Sequence, residues 1–360
     1  VTQMMTTIGN YQMRSFQASD VKEEYPFYTY FTSRIVSVVA MVTICMSYSM
    51  LQGYDLQRMI IIVILCGYRL VESVEDVFHG EMQKSMRLDV ASKVWAVRIF
   101  VDTIAFSVVY ILTKNLLVAS IAMLGSAIGV GFILNIKACA MFEKISIVLK
   151  WKNVFKLLWE CLPVCIGGYL YTYLVNSPKY AIDRNLPEEM QTIFNILFMP
   201  IFAINMLSMF VYKPLISKMG SQWVNNEKNA FVKNVFIQIG MIVIITIVAV
   251  LGGTIIGLDI LGWLYSVDLA AYRGMLALLL VCGGFAAMAA FLVVALTITR
   301  KQKYVLYAYL IAVVVVLVSI DKLVIGYGLW GASIAYGLGM GSVMLILAVA
   351  LINTIMKTKQ

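Results

Sequence analysis

The sequence predicts an all-α integral membrane protein, a polytopic bundle of about ten transmembrane helices, and three observations carry that prediction. First, 61% of its 360 residues are apolar or aromatic and 13% are charged, about half the charge of an ordinary soluble domain. So much apolar surface is stable only where hydrocarbon takes the place of water. Second, ten stretches are apolar for the roughly 20 residues that a bilayer crossing needs. Third, lysine and arginine alternate between linkers in step with those ten stretches.

In chain order the spans fall at about 33–51, 57–75, 95–113, 116–136, 153–176, 190–212, 232–255, 270–297, 303–320 and 327–354. The second is the most polar, with Arg69, Glu72 and Glu75 near its end. Short linkers force neighbouring spans into antiparallel hairpins, the connectivity of an all-helical bundle. The linkers at 11–34, 76–98, 137–156, 213–233 and 298–303, with the C-terminal tail, hold 21 of the 28 Lys and Arg residues. The opposite linkers hold six, and Arg69 lies within a span. Positive linkers stay on the cytoplasmic side, so the C-terminus is expected there too.

The stretch 76–95 reads as an amphipathic helix on the membrane surface, apolar at Val77, Met82, Met86 and Val90 and charged at Glu81, Lys84, Arg87 and Asp89. A basic linker at 137–152 divides an N-terminal lobe at 1–136, with four full helices and part of another, from a C-terminal lobe of six helices at 153–360. The first 17 residues read as the second half of a helix already under way. The chain is thus expected to start part-way into a protein of two six-helix lobes, as repeat-built transporters are.

Several segments resemble the polysaccharide (O-antigen or capsule-type) flippases of the multidrug/oligosaccharidyl-lipid/polysaccharide exporter superfamily. They are Ile8–Val21 with Tyr30–Arg34, Glu72–Gln83 with Arg87–Asp89, Asn176–Asp183, Phe198–Pro200 with Lys213–Leu215, and Gly328–Ala335. The resemblance covers nearly the whole chain. It implies a two-lobed exporter fold lacking the first two of twelve helices. It also implies translocation of an undecaprenyl-diphosphate-linked oligosaccharide from the cytoplasmic to the outer leaflet, beside membrane lipids and other polysaccharide-assembly membrane proteins.

Such a substrate asks for fixed positive charge for the diphosphate, and an arginine fork meets two phosphate oxygens at once. Arg14, Arg34, Arg69, Lys179 and Tyr180 are the candidate cavity residues. Glu72, Glu75, Asp76 and Asp183 are candidates for ion coupling or ion pairing. Arg69 has two readings, a substrate contact in the cavity or an ion pair with Glu72, Glu75 or Asp76. Lys179 likewise meets either an arriving anion or Asp183 or Glu188. Arg98 and Asp102 have the i,i+4 spacing of a salt bridge. Pro178 and Pro200 are expected to interrupt or end helices.

Other functions fit less well. No basic patch is interleaved with stacking aromatics, so nucleic acid is not an expected partner. The six cysteines fall in or beside apolar runs, and the single histidine cannot build a four-ligand metal site; no metal or cofactor is expected. The longest outer linker, about 177–189, is too short for a catalytic site, so no enzyme is expected. Gly326-Tyr-Gly328-Leu-Trp-Gly331 spells a dinucleotide fingerprint but joins two membrane spans, where it reads as a turn. The alternative kept open is an ion-coupled drug or metabolite exporter of the same superfamily.

Overall fold

The computed structural model describes residues 2–51, 56–139 and 150–357, and every regular element among them is helical. The order is α1 (Thr2–Asn10), α2 (Arg14–Ala18), α3 (Phe27–Leu51), α4 (Leu56–Lys84), α5 (Leu88–Thr113), α6 (Leu116–Cys139) and α7 (Trp151–Asn185). Then come α8 (Glu188–Tyr212), α9 (Ile216–Val224), α10 (Lys228–Gly252), α11 (Leu258–Tyr265), α12 (Arg273–Ile298) and α13 (Lys303–Lys357). Eight of the described helical stretches are long and apolar enough to cross a bilayer. The count rises to the ten expected spans because α4 fails on charge alone and α13 contains two span lengths.

The reason for the second exception is geometric. As one straight rod the 55 residues of α13 would extend about 80 Å, far beyond the ~30 Å of a hydrocarbon core. Gly328 breaks the rod at φ +56°, ψ −131°, a conformation that side chains with a Cβ avoid. The chain folds back so sharply there that a Cβ on Gly331 would sit 1.9 Å from the carbonyl oxygen of Leu323. The expected turn at 326–331 is therefore present, and it joins the last two spans without a loop.

One expectation is corrected. The segment 76–95 is not a separate surface helix: α4 runs on to Lys84, a tight turn follows, and α5 starts at Leu88. Val77 and Met82 are fully enclosed, and so nearly is Glu81, because α4 packs against α1, α2, α3 and α6. The amphipathic pattern was real, but Glu81 and Lys84 on its polar side are enclosed among helices, and only Arg87 and Asp89, beyond the end of α4, stay exposed. Residues 140–149, inside the linker expected at 137–152, lie outside the described residues.

Two compact units divide the chain, Val1–Cys165 and Ile166–Gln360. In the first, Phe16, Tyr30, Met41, Phe78, Met82 and Leu157 form a buried core on α2, α3, α4 and the start of α7. In the second, α12 is enclosed over most of its length by α8, α10 and α13. All six cysteines are buried, as expected of small apolar side chains.

Candidate functional site

Helix α4 carries Arg69, Glu72, Glu75 and Asp76, around which the charge clusters of the first unit form. Tyr68, Glu72, Glu75 and His79 recur every three or four residues, so they line one face of the helix. Arg98 of α5 meets that face with its side chain fully enclosed. Its Nε lies 2.8 Å from Glu75 Oε2, its Nη1 2.8 Å from Asp102 Oδ2, and its Nη2 3.5 Å from Glu72 Oε1. Arg98 Nη1 also donates to the Tyr68 hydroxyl at 2.9 Å, and the guanidinium lies 5.2 Å from that ring centroid.

Helix α6 completes the network. Ser126 Oγ donates to Asp102 Oδ1 at 2.7 Å, and Asn135 Nδ2 donates to Glu75 Oε1 at 3.0 Å. Arg69 pairs with Glu72 one turn along α4. The cluster thus sets three carboxylates, Glu72, Glu75 and Asp102, against two guanidinium groups, a formal surplus of one negative charge. An uncompensated charge in hydrocarbon is costly, and such residues gather where a protein handles ions or protons.

A second cluster lies farther along α4 with the opposite balance. Asp76 bridges two arginines: Arg14 Nη1 reaches Oδ1 at 3.1 Å and Arg34 Nη2 reaches Oδ2 at 3.0 Å. Arg34 Nη1 also donates to the Gly9 carbonyl at 2.9 Å, and Arg14 Nε donates to Gln83 Oε1 at 3.1 Å. Arg34, one of the candidate cavity residues, has its side chain wholly buried, and it ties α1 and α3 to α4. Arg14 keeps 24% of its side chain exposed.

Lys179 belongs to the second unit, on α7. Its ammonium lies 5.2 Å from the ring centroid of Phe198, a cation–π contact. Among the described residues no carboxylate comes within salt-bridge distance of it. Asp183 is exposed and makes no ion pair there, while Arg184 and Asn185 share Asp321 instead, at 3.0 and 3.2 Å. Phe198 packs on Tyr336 with centroids 5.0 Å apart, and Tyr180 lies against Tyr173 at 6.4 Å.

The prolines do not end their helices. Pro178 lies inside α7 and Pro200 inside α8. Pro178 has no N–H to offer the carbonyl of Leu174 four residues back, and the Ser177 hydroxyl donates to that carbonyl at 2.9 Å. The side chain next door restores the lost bond, and α7 runs on to present Lys179. A cavity of about 410 Å³ lies elsewhere in this unit, between α10, α12 and α13. Ile242, Val250, Val281, Phe285, Met288 and Met344 give it an apolar lining; its one hydroxyl, on Thr246, bonds the Ile242 carbonyl of its own helix.

No protein-family model matches the sequence, and no curated protein matches it. Solved structures do. Over 99% of its length the chain superposes on 86% of an outward-facing multidrug resistance MATE family transporter of the MOP superfamily, at TM-score 0.77 and 12% identity. This chain has the MATE fold. The Vibrio cholerae MATE transporter VcmN in its bent form is similar too, at TM-score 0.76 and 12% identity over 99% of this chain and 85% of that one. A MATE structure in the bent conformation gives 0.74 and 12% over 99% and 84%.

At such identity the MATE fold is shared and the side-chain chemistry must be read from this chain alone. On that fold, the residues singled out in sequence fall into three groups. Arg14, Arg34 and Asp76 meet in one cluster, Arg69, Glu72 and Glu75 in another, and Lys179 and Tyr180 lie in the other unit, with Asp183 apart. Tyr68, Ser126, Gly131 and Asn135 were not singled out. Gly131 matters for space: a Cβ there would stand 2.5 Å from Glu75 Oε1 and 3.2 Å from Arg98 Cδ.

Proposed function

We propose that the chain is a multi-pass transporter that works by alternating access between two lobes. We propose further that its substrate is an undecaprenyl-diphosphate-linked oligosaccharide, carried to the outer leaflet of a bacterial inner membrane. The observation that carries this reading is Lys179. It is a cation beside aromatic rings with, among the described residues, no carboxylate within salt-bridge distance, and a phosphate-bearing substrate supplies the missing charge as a point-charge partner. Tyr180 and Tyr173 offer rings and hydroxyls for sugars. The apolar cavity between α10, α12 and α13 has the chemistry of a polyprenyl tail.

The test is genetic and chemical. In a strain lacking the gene, lipid-linked oligosaccharide accumulates on the cytoplasmic leaflet and surface polysaccharide disappears. The full-length gene restores both, Lys179→Arg restores most of the activity, and Lys179→Ala does not. Intact surface polysaccharide in the deletion strain removes this reading.

A second reading, an ion-coupled drug or metabolite exporter, is favoured by the acid surplus around Glu75. A coupled exporter needs a carboxylate in the membrane that gains and loses a cation or proton. New drug sensitivity in the same deletion strain, without loss of polysaccharide, selects it.

A further inference from the structure

The first turns of α7 carry a feature that neither charge cluster uses. Trp151, Phe155 and Trp159 recur at i, i+4 and i+8, which stacks them on one side of the helix along about 12 Å. They are 50%, 62% and 73% exposed, whereas Val154, Leu157 and Cys161 on the other side are 1% exposed or less. The Trp151 and Phe155 rings lie 6.1 Å apart. Indole rings have an apolar body and a polar N–H, and they settle at the depth where headgroups meet acyl chains.

Lysines flank the stripe. Lys150 and Lys152 are exposed, and among the described residues neither has a carboxylate partner. Lys156, one turn along, lies over the Tyr25 ring at 5.5 Å and reaches Glu24 at 3.5 Å and Glu160 at 3.8 Å. Among the described residues the surface therefore presents two positive charges without a carboxylate partner beside three exposed aromatic rings, on a helix that runs on into the membrane.

We infer that this stripe is a docking surface for an anionic phospholipid of the leaflet that the lysine-rich linkers face. Lys150 and Lys152 bind the headgroup phosphate, and the rings cover the upper acyl chains. Charge complementarity selects an anionic over a zwitterionic headgroup. The inference needs only that α7 spans the bilayer, so it stands or falls separately from the transport substrate.

Native mass spectrometry of the full chain tests it, using micelles that hold phosphatidylglycerol and phosphatidylcholine in equal amounts. The protein retains phosphatidylglycerol in preference. The double variant Lys150→Gln/Lys152→Gln loses that preference by roughly 25-fold, taking about fivefold per lysine at an anionic surface. Trp159→Ala weakens retention of both lipids. All three side chains are exposed, so unchanged circular dichroism and melting confirm intact folding. Arg273→Gln/Lys322→Gln, changed at the other set of linkers, keeps the preference. The inference is overturned by a double variant that binds phosphatidylglycerol as before. It is equally overturned by a loss that follows Arg273 and Lys322.

Discussion

Arg98 touches three carboxylates and a phenol while wholly enclosed, so it is the side chain on which the cluster around Glu75 depends. Removing one partner of a buried ion pair leaves the others uncompensated, at about 3–5 kcal/mol. Arg98→Ala is accordingly expected to lower the melting temperature in detergent sharply, and Arg98→Lys to recover only part, because a compact ammonium cannot span the acceptors that the planar guanidinium reaches from three nitrogens. Gly131→Ala is expected to cost about 1–3 kcal/mol by overpacking, since the added methyl group runs into Glu75 and Arg98; the same melting measurement checks it. The pairs Arg98/Asp102 and Arg69/Glu72 were legible in sequence because helical spacing alone brings them together. Ser126 and Asn135 were not: their partners lie 24 and 60 residues away, and a neutral residue in an apolar run gives no sign of what it faces.

Among the elements, α4 and α13 depart most from the simple reading of their sequences. The charges that spoil α4 as an apolar span are those that hold α2, α3, α5 and α6 to it. Its amphipathic end was misread because periodicity reports that a helix has two faces but not what covers each one. In α13 a single residue decides the path. Gly328→Ala would force a Cβ into a backbone conformation worth about 1–3 kcal/mol of strain. A lower melting temperature without loss of helical circular dichroism is the expected result. The glycine-rich turn was visible in sequence because a fingerprint glycine run between two apolar spans has no other use there. The Ser177 repair of α7 was not, because a serine before a proline is common and its hydroxyl has several acceptors within reach.

For the whole molecule, the spans were legible, since hydrocarbon thickness acts on the chain directly. The proposed orientation makes its own prediction in a cysteine-free background. Single cysteines replacing Lys114 and Lys322 are expected to react with a membrane-impermeant maleimide added to intact cells, and those replacing Arg87 and Lys301 only after lysis. Reversed labelling would invert the transport direction proposed above. The loopless fold-back at Gly328 also bears on biogenesis. With Leu323 and Gly331 in backbone contact, the last two spans have no slack between them and must leave the insertion machinery as one helical hairpin. A nascent chain that ends short of Gly331 therefore lacks the second helix of that hairpin, and the two spans are expected to insert together.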